Sequence, residues 1–120
     1  MVTVEERLDN LEKKVEKQAF QLRLVQQLAA DYDRFGLFDQ VLAYDLSEKQ
    51  YQELRELTSQ YTDKIKNGEE VSLHNFTEEF KRILKDIEKE VDFEKFISLW
   101  LKGPEEGFGF SKALHHHFFN

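Results

Sequence analysis

The sequence contains no cysteine, so disulfides, thiolate nucleophiles and sulfur-ligated metal sites are excluded. It has one proline and five glycines in 120 residues, which leaves long stretches without a helix breaker. No stretch approaches the roughly 18 apolar residues of a membrane span, and the N-terminus is acidic where a secretory signal is basic. These absences predict a cytoplasmic protein that is neither exported nor embedded in a membrane.

The residues that are present favour a single helical domain. Hydrophobic residues make up 40% of the chain and include 11 phenylalanines, which is enough for a core at this size. The long runs of Glu, Lys, Gln and Leu are strong helix formers, and no stretch alternates like a strand. We therefore predict an all-α fold, in which a long N-terminal helix is followed by four or five shorter helices in a multihelical bundle.

Capping residues predict where the helices begin and end. Thr3 and Glu6 have capping-box spacing, which places the first helix start near Val4. A short helix is expected over 37–44, after a break at Gly36. Three further helices are predicted to start after Ser47, Ser72 and Asp92. Helix ends are predicted at Asn67-Gly68 and Gly103-Pro104. A closing helix is predicted from about Phe110.

The first helix carries an apolar stripe with the alternating spacing of four and three that is typical of a coiled-coil seam. One polar residue, at position 18, interrupts the stripe. We predict that this stripe, which we call the seam, is an oligomer interface. The seam comprises Val4, Leu8, Leu11, Val15, Gln18, Leu22 and Val25.

Charges beside the seam predict how the copies are oriented. Arg7 lies at a g position and Glu12 at an e position, so they meet across a parallel pair, whereas an antiparallel pair sets basic residues against each other. Leucine at a positions with valine at d positions departs from the two-stranded preference and favours a trimer over a dimer. The alternative is that the same stripe packs against its own chain.

The pattern divides the chain into two parts. Residues 1–30 form the N-terminal helix, with residues 1–17 as an association arm and residues 18–30 packed on the rest of the domain. Residues 1–30 hold five of the 17 basic and five of the 24 acidic residues, so the net charge of -7 lies in residues 31–120. We call residues 31–120 the acidic body. Its charge disfavours nucleic acid as a partner.

No motif for an enzyme or a cofactor emerges. His115, His116 and His117 are consecutive and point in different directions on a helix, so they cannot chelate one metal ion together. His74 and Glu78 make only half of a metal site. We therefore predict a non-enzymatic protein-interaction module with no catalytic, cofactor or metal residues. Its predicted partner is a further copy of the same chain, and a different protein is a second candidate partner.

Two alternatives from other classes stay open. A ligand-binding protein or enzyme would need a cleft between helices, lined by residues such as Tyr51, Tyr61, His74 and Trp100. An inhibitor that imitates nucleic acid would need the acidic residues of the body to converge on one ridge.

The charged N-terminal helix is followed by DYDRFGLFDQVLAYDLSEKQYQELREL, VSLHNFTEEFKRIL, DFEKFISLWLKG and an aromatic end with HHFF. This order of segments resembles the YhaI-like family of small all-helical bacterial proteins of unknown function. The chain departs from that pattern at Gly36, where proline is expected, and at Gly107-Phe108-Gly109. The resemblance implies an all-helical fold and an oligomer, and it supplies no catalytic or binding residues.

Overall fold

The computed structural model describes residues 3–31, 37–87, 90–103 and 109–119. Within these ranges the chain forms six helices and no strand, so the predicted all-α fold with a long N-terminal helix is confirmed. The helices are α1 (Val4–Ala30), α2 (Phe38–Ala43), α3 (Glu48–Lys66), α4 (Leu73–Ile83), α5 (Phe93–Lys102) and α6 (Lys112–Phe119). The predicted break at Gly36, the proline of the predicted stop at Gly103-Pro104 and the departure at residues 107–108 lie outside the described residues.

The predicted caps begin the helices as expected. At the start of α1, the Thr3 hydroxyl accepts the Glu6 N–H at 3.1 Å and the Glu6 carboxylate accepts the Thr3 N–H at 3.4 Å. Ser47 forms a second capping box with Gln50 at the start of α3. Each box satisfies backbone donors that have no partner within the helix. The side chains of Ser72 and Asp92 cap α4 and α5 in the same way, each accepting one N–H.

The closing helix begins two residues later than predicted. The N–H groups of Phe110 and Ser111 donate to the carbonyls of Trp100 and Leu101, at 2.9 and 3.0 Å. They therefore satisfy the C-terminal end of α5 and are not part of the first turn of α6. The Ser111 hydroxyl then accepts the Leu114 N–H at 3.2 Å, which caps α6 and fixes its start at Lys112.

The core of the body is built around Trp100 on α5, which is completely buried. Its ring stacks on Phe110 at 4.1 Å between centroids and meets Phe80, Phe96 and Tyr51 edge to face at 5.6 to 6.3 Å. Such tilted and edge-on arrangements are the favoured geometries of aromatic pairs. The phenylalanine-rich composition thus forms one aromatic cluster that joins α3, α4, α5 and the chain before α6.

A short hydrogen-bond network crosses this core. The Trp100 indole donates to the Thr58 hydroxyl at 2.9 Å, and that hydroxyl donates to the Leu54 carbonyl at 2.7 Å. One turn further along α3, the hydroxyls of Thr62 and Ser111 lie 2.8 Å apart. Because buried polar groups are costly without partners, these bonds fix how α5 and the start of α6 dock on α3.

α1 packs on the body through its second half. Phe20 and Leu24 are buried, at 3% and 4% exposed, and enter the core beside α2. The Asp45 carboxylate accepts bonds from Lys17 Nζ at 2.9 Å and Gln21 Nε2 at 2.8 Å. Residues 3–16 are exposed throughout. The first half of α1 therefore extends beyond the body, in a molecule that measures 52 × 33 × 26 Å.

None of the helices in the described residues combines the length and apolar character that a membrane crossing requires.

Candidate functional site

The candidate site is the seam on α1. Six of its seven side chains are large and apolar, and all six are exposed: Val4 (72%), Leu8 (55%), Leu11 (56%), Val15 (61%), Leu22 (57%) and Val25 (45%). They are also the full set of exposed large apolar side chains among the residues that the structure describes. Scattered apolar side chains are ordinary on a protein surface, but a continuous stripe indicates an interaction site.

The seam faces away from the body. Successive residues of an α-helix are separated by about 100° around the axis, so Leu22 and Val25 lie roughly 150° from the face that holds Phe20 and Leu24. The ion pair of Arg23 with Glu48 of the body, at 3.1 Å, involves a residue outside the stripe and leaves the seam open. α1 therefore has two apolar faces, of which one enters the core and the other is exposed to solvent.

Three charged or polar side chains at the seam lack partners within the described chain. Arg7 and Glu12 flank the exposed stripe, and neither forms an ion pair with any described residue. Gln18 lies within the stripe, is exposed and forms no hydrogen bond to that part of the chain. All three side chains are therefore available to a partner that covers the seam.

Comparison with known proteins places the chain beside one bacterial relative. The chain is similar to the uncharacterised protein YqxJ of Bacillus subtilis strain 168, with 99% identity over 120 residues that cover 100% of both chains. The chain belongs to the same family as YqxJ. No protein-family model and no solved structure match it, so the resemblance to the YhaI-like family stays a prediction. The name of YqxJ states no activity.

The residues that could have lined a ligand cleft are mostly core residues. Tyr51 and Trp100 are buried, at 8% and 0% exposed, and they contact each other edge to face. Tyr61 donates a 2.5 Å hydrogen bond to Glu79. Burial and this carboxylate raise the pKa of Tyr61 to about 12, so the phenol stays protonated well into the alkaline range. His74 is exposed on the first turn of α4, so these four residues do not form one open cleft.

The histidines of α6 have structural partners. His115 Nε2 lies 3.0 Å from the Ser98 hydroxyl, and its ring lies 5.0 Å from that of Phe119. Burial, together with the neighbouring Lys102 charge, lowers the pKa of His115. His117 lies 3.3 Å from the Val71 carbonyl. The described residues contain no group of three or more side chains placed to hold a metal ion.

An open groove of 660 Å³ lies between α1, α3 and the end of α4. Lys49, Arg82 and Lys85 line it together with Glu53 and Asp86. Arg82 lies in the last turn of α4, where a cation is favoured by the helix dipole. The mixed charges specify no ligand chemistry, so the groove is weaker than the seam as a candidate site.

Sequence reasoning missed the Thr58 and Ser111 hydroxyls, which organise the core without taking part in a surface site. Helical spacing places Thr58 on the buried face of α3 with Leu54 and Tyr61, and this spacing was the available signal. The pairing of Thr62 with Ser111, 49 residues later, has no local signal, because it depends on how α6 returns to α3.

Proposed function

We propose that this chain is a non-enzymatic protein-interaction module of the cytoplasm that self-associates through the seam of α1. The observation that carries the proposal is the position of the seam, since its apolar side chains are exposed on the face of α1 that points away from the body. Covering these side chains removes apolar surface from water, which is the main driving force for association.

The proposed occupant of the seam is a second copy of the same chain. The alternating spacing of four and three is the pattern that allows identical helices to pack knobs into holes along a shared axis. The flanking charges are also self-complementary, since Arg7 of one copy faces Glu12 of the next in a parallel pair. We propose parallel association, with a trimer favoured over a dimer by leucine at the a positions 8 and 22 and valine at the d positions 4 and 25.

A pair of single substitutions tests this proposal on the full chain. Leu11→Glu places a charge in the seam, whereas Asn10→Glu places the same charge on the neighbouring exposed position outside it. Burying an unpaired carboxylate in each copy is expected to weaken association at least about 100-fold. Sedimentation velocity at micromolar concentration should show oligomers for the unmodified chain and for Asn10→Glu, and monomers for Leu11→Glu.

Both variants should keep a folded body, because residues 3–16 are exposed over their whole length. The near-ultraviolet circular dichroism of the buried Trp100 reports this directly. An unmodified chain that sediments as a monomer would refute self-association. The partner of the seam would then be a different protein. A Leu11→Glu oligomer as stable as that of Asn10→Glu would show that the copies associate through another surface.

A further inference from the structure

Gln18 is the one polar residue of the seam, and the body makes no use of its amide. Its side chain is exposed and forms no hydrogen bond to a described residue. Gln21, one turn away, uses its amide to bind the Asp45 carboxylate at 2.8 Å and the Leu46 carbonyl at 3.4 Å. The docking of α1 on the body therefore explains the amide at position 21 and leaves the amide at position 18 without a role.

The alignment of two seams decides whether the Gln18 amide finds a partner. In a parallel, in-register dimer or trimer the d positions of all copies meet in one layer, so each Gln18 faces Gln18 of another copy and each amide can both donate and accept. A slip by one heptad sets Gln18 against Leu11 or Val25. Either slip buries the amide against an apolar side chain.

An antiparallel pair also leaves the Gln18 amide without a hydrogen-bond partner. In that arrangement the a positions of one helix face the d positions of the other. The a positions of this heptad pattern are Leu8, Val15 and Leu22 of the seam, followed by Ala29, and none of their side chains can hydrogen-bond to an amide. An amide that is removed from water and left without a partner costs more than a paired amide contributes.

We propose that Gln18 is the specificity-determining residue of the seam, which selects parallel, in-register association with a second copy of this chain. The inference rests on the proposed self-association and adds a physical reason for one alignment. A polar residue at one core position of a coiled coil weakens the assembly but penalises the alternatives more. This selection is independent of the Arg7 and Glu12 charges and favours the same orientation.

The absence of cysteine makes the alignment measurable. A single Val4→Cys substitution places one thiol at the start of each seam, where thiols of different copies meet only in the parallel, in-register arrangement. In an antiparallel pair or a slipped pair they lie at separate levels. The disulfide-linked fraction at equilibrium in a glutathione buffer is measured for three variants. They are Val4→Cys alone, Val4→Cys combined with Gln18→Leu, and Val4→Cys combined with Asn10→Leu. The last variant makes the same amide-to-leucine change outside the seam.

We expect Gln18→Leu to tighten association by about tenfold in sedimentation equilibrium, because a buried polar layer becomes apolar. The same variant should lower the disulfide-linked fraction at least twofold, since other alignments become accessible. Asn10→Leu should match the Val4→Cys parent in both measurements. An unchanged linked fraction in Gln18→Leu would overturn the inference while leaving self-association intact. A monomeric parent would instead refute the proposed function, and the inference with it.

Discussion

At the scale of the residue, Gly109 shows how closely the chain packs where it returns to the body. A Cβ at this position would lie 2.2 Å from the carbonyl carbon of Lys102 and 2.5 Å from the nitrogen of Gly103. Both atoms belong to the backbone at the end of α5, so no side-chain rotation relieves the clash. Glycine is required here because the hydrogen bonds of Phe110 and Ser111 to α5 need this close approach.

We predict that Gly109→Ala lowers the free energy of unfolding by about 2 to 3 kcal/mol, because the backbone at the end of α5 must shift. The matched control is Gly68→Ala. Gly68 has a φ of 79° with no atom within 4 Å of a Cβ, so its substitution costs about 1 kcal/mol of backbone strain and causes no clash. Urea unfolding of both variants measures the difference. An equal decrease in the free energy of unfolding would contradict the close contact of Gly109 with the backbone at the end of α5.

At the scale of the element, α1 combines a supported half and an unsupported half in one continuous helix. Phe20 and Leu24 anchor the second half in the core, and Asp45 binds Lys17 and Gln21 where that half begins. Residues 3–16 are exposed on all sides. An isolated helix of this length is marginal in water, even with good propensity and a capping box. Association through the seam is the contact that would stabilise it.

Helix content should therefore depend on protein concentration. We predict that dilution below the dissociation constant removes the helical signal of roughly a dozen residues, because the unsupported half of α1 frays in the monomer. Circular dichroism at 222 nm measures this across a concentration series. Leu11→Glu should show the lower signal at every concentration. A signal that stays constant through dissociation would mean that the first half of α1 is stable alone.

At the scale of the whole molecule, charge is distributed unevenly. Residues 1–30 are neutral overall and the body carries the net charge of -7. Parallel association gathers the acidic bodies at one end of the helices, where they repel each other. Antiparallel association would separate them along the length of α1. The exposed Arg7 and Glu12 contribute little to counter this repulsion, because surface ion pairs are weak.

We predict that salt strengthens the association of this chain. Raising the ionic strength from about 20 mM to about 150 mM shortens the Debye length from roughly 20 Å to roughly 8 Å and screens the repulsion between bodies. The dissociation constant should fall about tenfold over this range, as measured by sedimentation equilibrium. Association that weakens with salt would mean that attraction between charges, such as that of Arg7 for Glu12 of the next copy, outweighs the repulsion between the bodies.

Local chemistry accounts for most of what the sequence predicted correctly. The capping box at Thr3, the cap at Ser47 and the stop at Asn67 depend on residues within a few positions of each other. The start of α6 was missed because the N–H groups of Phe110 and Ser111 bind carbonyls of α5, ten residues earlier in the chain. Propensity carries no information about such a contact.

The sequence by itself determined that the chain is helical and that α1 carries an apolar stripe of coiled-coil period, because both follow from the type and spacing of neighbouring residues. The tertiary structure decided which apolar face of α1 enters the core. The periodic pattern alone allowed the seam to pack inside its own chain. Phe20 and Leu24 fill that place, and the seam lies about 150° away around the helix, where no part of the described body covers it.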